Sequence, residues 1–337
     1  MKLSVVILNW NGAQMLRKYL PSVIACSKGE GIEIVVADNA STDDSLAILR
    51  TFPTVRTIVL DKNYGFAEGY NKALHEIQAK YYLLLNSDVE IRQDNWLNPM
   101  LSYMETHADC AACQPKLLSL RNPDQFEYAG GAGGFLDRYG YPFCRGRILS
   151  TIEKDCGQYD SVCDLLWATG AALLVRSSDY WEAGGLDGRF FAHMEEIDLC
   201  WRLRSMGRKV VCVPKSTAYH LGGATLNQGN PRKTYLNYRN NLLMLYKNLP
   251  ENELASVMRV RTCLDILSSL PFLLKFDWAN FRAVMRARSD YKKMRSDFTP
   301  QRKDNLRRRV VKRIPERVGF SILWSYFILR KKTFKQL

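Results

Sequence analysis

Two stretches decide the fold: IEIVVADNASTDD at residues 32–44 and YYLLLNSDVEI at residues 81–91. Each is an unbroken apolar run that ends abruptly in short polar and acidic side chains. Strands of a parallel sheet are buried on both faces and read as continuous apolar runs. Ligands of such sheets collect beyond the carboxyl ends of the strands. Asp38 follows the first run, and Asn86 and Asp88 follow the second, so the two ends are expected to share one crevice. A carboxylate placed there can bind the edge of a base or ribose, or hold a hard divalent cation beside phosphates. The pair therefore points to a nucleotide sugar and a cation.

Working outward, strands are expected at Leu3–Leu8, Glu33–Ala37, Val55–Leu60, Tyr81–Leu85 and Ala111–Cys113. Helices are expected at Ala13–Cys26, Asp43–Thr51, Ala67–Ala79 and Trp96–His107. This alternation predicts an α/β fold with a mostly parallel, doubly wound sheet flanked by helices. The first strand is followed by NWNG, not by GxGxxG, which argues against a dinucleotide-binding unit. Residues 116–165 are Gly-rich and irregular and read as a long functional loop. Within them, Gly130–Gly134 (GGAGG) reads as a mobile loop. The alternation resumes with a strand at Ala171–Val175, helices at Ser177–Glu182 and Glu195–Met206, and a strand at Lys209–Val213.

The chain has 337 residues, 47% of them hydrophobic, enough for one large α/β domain with an appendage. The charge divides it. Residues 231–337 carry 25 Lys and Arg against 8 Asp and Glu, a net of +17, whereas residues 1–230 carry a net of −3. Such asymmetry suggests an anionic partner, nucleic acid or a membrane surface. The basic segment interleaves its cations with Leu, Phe, Trp and Met, as in WANFRAVMRARSDYKKM, and reads as interfacial amphipathic helices. Its longest uncharged run, Val318–Leu329, has 12 residues, short of the ~20 needed to span a bilayer. The expected organisation is a domain over 1–231, with a nucleotide-sugar half (1–115) and an acceptor half (116–231). A basic helical region over 232–337 then associates with membrane. The nine cysteines include one CxxC, Cys110 and Cys113, with no second metal-binding pair. They read as reduced thiols in a cytosolic protein. MKLSVVILNW reads as a first strand, not a signal peptide.

Seven segments carry a resemblance: VVILNWNG, VVADNASTD, NYGFAEGYN, LLLNSD, WATGAALLVR, GGLDGRFFAHMEEIDLCWR and AYHLGG. In this order they resemble the inverting family 2 glycosyltransferases of GT-A fold, nearest the rhamnosyl- and galactofuranosyltransferase branch of cell-envelope polysaccharide synthesis. The resemblance covers roughly residues 1–235. It implies a donor side formed by Asn9, Asn11, Asp38, Asn39, Asn63, Gly65, Phe66, Asn71, Asn86 and Ser87, with Asp38 meeting the pyrimidine base. An acceptor-only carboxylate suits the imide N–H of uracil or thymine, although DNASTDD is also good turn and helix-capping chemistry. Asn86-Ser87-Asp88 stands where the fold carries its Asp-x-Asp metal motif. Asn86 departs from the two-acid form, so Asp88 is the expected ligand of a divalent metal (Mg2+ or Mn2+), with His220 completing the shell.

The resemblance further implies that Glu196 is the general base, with Glu195 able to stand in or to hold the acceptor. Glu196 is one methylene longer than the aspartate more usual there. Trp167, Thr169 and Gly170 fall in the acceptor-side segment. Asp198 and Arg202 read as a helix-stabilising pair at i,i+4. The expected partners are a UDP- or dTDP-sugar donor, with rhamnose favoured, a lipid-linked oligosaccharide acceptor and an anionic membrane surface. A homo-oligomer is possible, and no nucleic acid is expected. The expected location is cytoplasmic, peripheral on the inner face of the cell membrane. A nucleotide-sugar nucleotidyltransferase would need a GxGxRL-type loop that NWNGAQML does not supply. A nucleic-acid-binding protein acting through the basic region would leave Asp88 and Glu196 without work.

Overall fold

A computed structural model describes residues 1–222 and 229–337; Gly223, the last residue of AYHLGG, lies outside them. The N-terminal half runs β1 (Leu3–Asn9), α1 (Ala13–Cys26), β2 (Ile32–Asp38), α2 (Ser45–Leu49), β3 (Arg56–Val59), α3 (Gly65–His75), β4 (Tyr81–Leu85), β5 (Val89–Glu90) and α4 (Leu97–Thr106). Then come β6 (Cys110–Ser119), β7 (Gly134–Leu136), β8 (Pro142–Cys144), β9 (Arg147–Ile148), β10 (Thr151–Ile152), β11 (Cys163–Asp164) and β12 (Ala172–Arg176). The second half of the sheet closes with α5 (Ser177–Glu182), α6 (Glu195–Ser205) and β13 (Lys209–His220).

The large sheet has the order β11-β13-β6-β12-β4-β1-β2-β3, with β5 pairing onto β13. Strands β4, β1, β2 and β3 are mutually parallel. Strand β12 runs antiparallel between β4 and β6, so the sheet is mixed on the acceptor side. Side chains alternate across a strand, and here both faces are covered. Val6, Val35 and Leu84 enter one hydrophobic cluster, while Val5, Ile7, Leu83 and Leu85 enter the other. This double burial is the physical reason the two decisive stretches are uninterrupted apolar runs.

The reading of residues 116–165 as a loop outside the core is corrected. This segment contains a four-stranded antiparallel sheet, β10-β9-β8-β7, with Phe135, Leu136, Phe143, Cys144 and Ile148 in the core. The GGAGG segment is not a mobile loop but a buried floor. A Cβ at Gly134 would come within 2.1 Å of the Trp167 indole, so glycine is what lets the ring lie on the backbone. Strand β13 also runs on to His220, past a register shift between Val213 and Thr217. All nine cysteines are unpaired.

The basic segment forms α7 (Pro231–Asn248), α8 (Glu251–Leu274), α9 (Trp278–Met294), α10 (Thr299–Arg308) and α11 (Ile322–Phe327). The boundary expected at residue 231 is not a boundary in the packing. Leu242, Leu243, Met244 and Leu245 of α7 are fully buried and share one hydrophobic cluster with β1, β4, Phe298 and Ile322. The apolar face of α7 completes the core under the catalytic half instead of floating beside it. Among the described residues, no helix is long and apolar enough to cross a membrane. A chain ended after residue 230 should therefore lose its cooperative thermal melt, since deleting one buried Leu alone costs about 2–5 kcal/mol. A truncated chain that melted cooperatively near the full-length temperature would contradict this packing.

Candidate active site

Strand pairing assembles the acidic end of a deep cleft. β5 pairs with β13 so that Val89 faces His220, which brings the neighbouring Asp88 against the imidazole. His220 Nε2 lies 3.1 Å from Asp88 Oδ1, and Nδ1 lies 3.3 Å from Glu127 Oε1. The Asn86 side-chain amide is 3.4 Å from Nε2. Burial tends to raise the Asp88 carboxyl, but the charge and hydrogen bond of His220 outweigh it and hold the group below its ordinary value. For His220, burial works downward, and Asp88 and Glu127 overcome it, bringing the ring up to about 10. At neutral pH an imidazolium thus sits between two carboxylates.

A divalent metal is implied here by the fold family, and the donor set matches one in kind: two carboxylates and an imidazole. His220 Nδ1 is buried without an aligned hydrogen-bond partner, so it would be open to a ligand bond once the ring is neutral. Among the described residues, no three His, Cys, Asp or Glu side chains are already arranged as a metal shell, so His220 would have to give up its proton as a cation bound.

The donor-side residues divide into two groups. Asn39, Asn63, Gly65, Phe66, Asn86 and Ser87 line the cleft. Asn39 Nδ2 donates to Asn63 Oδ1 (3.1 Å) and to the Gly65 carbonyl (3.0 Å), fixing the turn into α3. Gly65 has φ +76°, and a Cβ there would lie 2.5 Å from the Phe191 ring. Asp38, Asn9, Asn11 and Asn71 are placed otherwise, and the expectation that Asp38 faces a base is corrected. Asp38 is fully buried; it accepts from Asn9 Nδ2 at 3.0 Å and from the Ser41 amide at 2.8 Å. Asn11 accepts from the Thr42 amide. Asn71 binds both the amide and the carbonyl of Leu186, tying α3 to the turn after α5. These four brace the loops that carry the lining residues.

Glu195 and Glu196 open α6 and line the same cleft. The approach is strained: Phe191, His193 and Met194 all have φ near +70°, a conformation that costs a non-glycine residue about 1–3 kcal/mol. Asn240 of α7 holds it, donating to the carbonyls of Phe190, Ala192 and His193 at 2.8–2.9 Å. Arg239 adds bonds to the carbonyls of Arg189 and Phe190. Below, Lys247 donates to Asp187 and Asp198 at 2.7 Å each, and Asp198 also pairs with Arg202 at 3.0 Å, as the i,i+4 spacing suggested. Oε2 of Glu195 and of Glu196 are both enclosed without partners. Burial raises Glu196 to about 7. Burial and the neighbouring Glu196 carboxylate drive Glu195 well above its ordinary value. Burial, with Lys233 nearby, pushes His193 down to about 4, so it is neutral.

On the acceptor side, Gly170 sits between Phe66 and Glu196, its Cβ position 3.5 Å from the Phe66 ring and 3.7 Å from Glu196 Cβ. The Thr169 amide donates to Gln114 Oε1 at 2.9 Å. Trp167 is core: its indole N–H donates to the Phe135 carbonyl at 2.9 Å, and only part of the ring borders the cleft. Sequence reasoning missed Glu127, Asn240 and Lys247. Glu127 stands in the segment read as a loop. Asn240 and Lys247 flank the apolar run Leu242–Leu245 of α7 and are themselves buried, which the sequence pattern alone did not single out. Asn240→Leu should lower kcat by roughly 10- to 100-fold through displacement of the α6 start, at a stability cost of about 1–3 kcal/mol. Steady-state kinetics with a melting curve checks this, and a stability loss with kcat intact would contradict the clamp.

Residues 4–127 match the model of glycosyl transferase family 2. The chain is 26% identical over 237 residues to N-acetylglucosaminyl-diphospho-decaprenol L-rhamnosyltransferase of Mycobacterium tuberculosis, covering 65% of this chain and 75% of that protein. It is 27% identical over 227 residues to Rhamnosyltransferase WbbL of Escherichia coli, covering 64% and 82%. Among solved structures, GalNAc-T7 with UDP, GalNAc and Mn2+ aligns over 98% of this chain and 57% of its own length, at a TM-score of 0.62 and 16% identity. S. aureus TarS 1-349 in complex with UDP aligns over 91% and 89%, at 0.53 and 16%. At these identities the solved structures establish the fold alone. The sequence match and the sheet topology agree: residues 4–127 carry a glycosyl transferase family 2 segment, within a chain that is similar to rhamnosyltransferases and has the GT-A fold.

Proposed function

We propose that this glycosyltransferase moves a sugar, rhamnose foremost, from a UDP- or dTDP-linked donor to a lipid-linked saccharide by a single inverting displacement, in surface polysaccharide synthesis. One observation carries the reading: Asp88, His220, Glu195 and Glu196 all line a single cleft of ≈ 2270 Å³. The names of the rhamnosyltransferase relatives, one of which includes a diphospho-decaprenol, support the choice of sugar and acceptor. Asn39, Asn63, Gly65 and Phe66 would receive the nucleotide, with Asn86 and Ser87 beside the diphosphate. A divalent ion held by Asp88 and His220, with Glu127 adjacent, would supply positive charge against the leaving diphosphate.

Glu196 takes the proton from the acceptor hydroxyl as it attacks the anomeric carbon. A carboxyl raised to about 7 is basic enough to accept that proton and still half ionised at neutral pH, the condition for efficient general-base catalysis. Glu195, its carboxyl raised by burial and by its neighbour, holds the acceptor or stands in as base. Trp167, Thr169 and Gly170 border the acceptor. The basic C-terminal helices keep the enzyme peripheral on the inner face of the membrane.

Glu196→Gln should reduce kcat by ~10²–10⁴-fold with donor KM little changed. Asp88→Asn should make Mn2+ or Mg2+ far less effective at restoring transfer after EDTA. Retention of full kcat by Glu196→Gln would remove the base from this assignment. In the wild type, Glu196 is protonated below about 7, so kcat should rise with pH to a plateau above that value. Stability runs the other way. A carboxyl raised in the fold above its ordinary 4.5 contributes fully below about 4.5, and its contribution is lost as pH rises through 7. A pH-rate profile alongside melting curves reads both; a flat profile between pH 5 and 8 would contradict the role.

A further inference from the structure

We infer that the cleft has a built site for an isoprenoid diphosphate: Arg147 contacts the diphosphate, and an apolar arm between α8 and α11 holds the lipid chain. This rests on the reading above that the acceptor is lipid-linked, and it names the residues that would recognise the link.

Arg147 is 6% exposed and lines the cleft. Its Nε has no hydrogen-bond partner. Its other nitrogens reach only the Leu149 carbonyl (3.2 Å) and the Cys144 sulfur (3.7 Å), and the Tyr128 ring lies 4.5 Å away. Among the described residues it forms no ion pair, whereas other arginines with an orphaned Nε (Arg176, Arg204, Arg208 and Arg317) each pair with a carboxylate. Glu127 acts on it only from beyond ion-pair distance; a buried guanidinium without a contacting counter-charge is costly, and an anion entering the cleft relieves that cost through a fork suited to phosphate oxygens.

Its place in the chain of contacts gives the direction. On one side, Tyr128 follows Glu127, which reaches His220 and Asp88 at the acidic end. On the other, β9 leads to Ser150 and Thr151, whose hydroxyls bond Tyr326 of α11 at 2.9 and 2.8 Å. Beyond them the cleft walls become apolar: Val260, Leu264 and Leu267 of α8, and Leu323, Trp324 and Phe327 of α11. Leu267, Trp324 and Phe327 are 58%, 58% and 65% exposed, an apolar lining of the same cleft that Glu196 borders. An acceptor laid along this path puts its sugar by Glu196, its diphosphate by Arg147 and its first isoprene units between the two helices. Charge complementarity selects a diphosphate, and the apolar arm selects a chain behind it.

The probe is farnesyl diphosphate, titrated into the full-length protein in EDTA so that cation-mediated binding of diphosphate at Asp88 is suppressed. Wild type should bind it at least tenfold more tightly than either inorganic diphosphate or farnesol. Arg147→Gln and Leu264→Asp should each weaken it at least tenfold, with melting curves confirming folding. If Arg147→Gln does not fold, Arg147→Lys, which keeps the charge but loses the fork, should bind several-fold more weakly. Equal binding by wild type and the Arg147 variants would overturn the site. So would vesicles of anionic phospholipid binding the apolar arm while farnesyl diphosphate showed no preference over inorganic diphosphate, which would make the arm a membrane anchor only. If binding behaves as expected but no sugar reaches any isoprenoid-diphosphate acceptor, the site stands and the proposed reaction falls.

Discussion

The reacting wall of this enzyme depends on one buried ammonium. Lys247 donates to Asp187 and Asp198 at 2.7 Å each, in a region where Asp198 is wholly enclosed. Asp198 belongs to α6, two residues after Glu196; Asp187 belongs to the turn before it; Lys247 belongs to α7. Removing one partner of such a cluster leaves an uncompensated buried charge and costs about 3–5 kcal/mol. The cluster therefore sets where α6 begins, and the Asn240 clamp sets how the chain enters it. Together they hold three left-handed residues in a strained turn that would otherwise relax.

That placement explains the electrostatics of the cleft. Two glutamates at the start of one helix, both with an enclosed, unpartnered oxygen, cannot both ionise freely. Elsewhere in the cleft the situation is reversed, with His220 raised by Asp88 and Glu127. The protein thus lines one cleft with both a proton-accepting and a cation-compatible group. Opposite pKa displacements of this kind are a common mark of acid–base sites.

Much of the N-terminal half was legible because double burial leaves an unmistakable pattern: Val35, Val36 and Ala37, or Tyr81 to Leu85, have no polar face to show. The acceptor half was harder to read. Its strands β7 to β10 are two or three residues long, too short for any periodicity, and Gly130–Gly134 looks like a linker until Trp167 is seen lying on it. The motifs placed the site but could not tell lining residues from bracing ones. Asp38 and Asn71 spend their hydrogen bonds on loop geometry, whereas Asn39 and Asn63 border the cleft. Glu127, Arg147 and Asn240 lay outside every motif, because their partners come together only in the folded chain. Net charge had marked the C-terminal region as separate, yet its first helix is core; charge patterning reports solvent-facing residues and says little about the apolar face they cover.

The central claim is that Asp88, at the donor diphosphate, and Glu196, at the acceptor hydroxyl, work in one cleft. Crystals soaked with a pyrimidine nucleotide diphosphate and Mn2+, read by anomalous scattering, test it most directly. The expected result is a manganese peak at Asp88 between protein and diphosphate, with the open space beyond the terminal phosphate facing Glu196. Manganese bound elsewhere, or a nucleotide whose terminal phosphate points away from Glu196, would contradict the account.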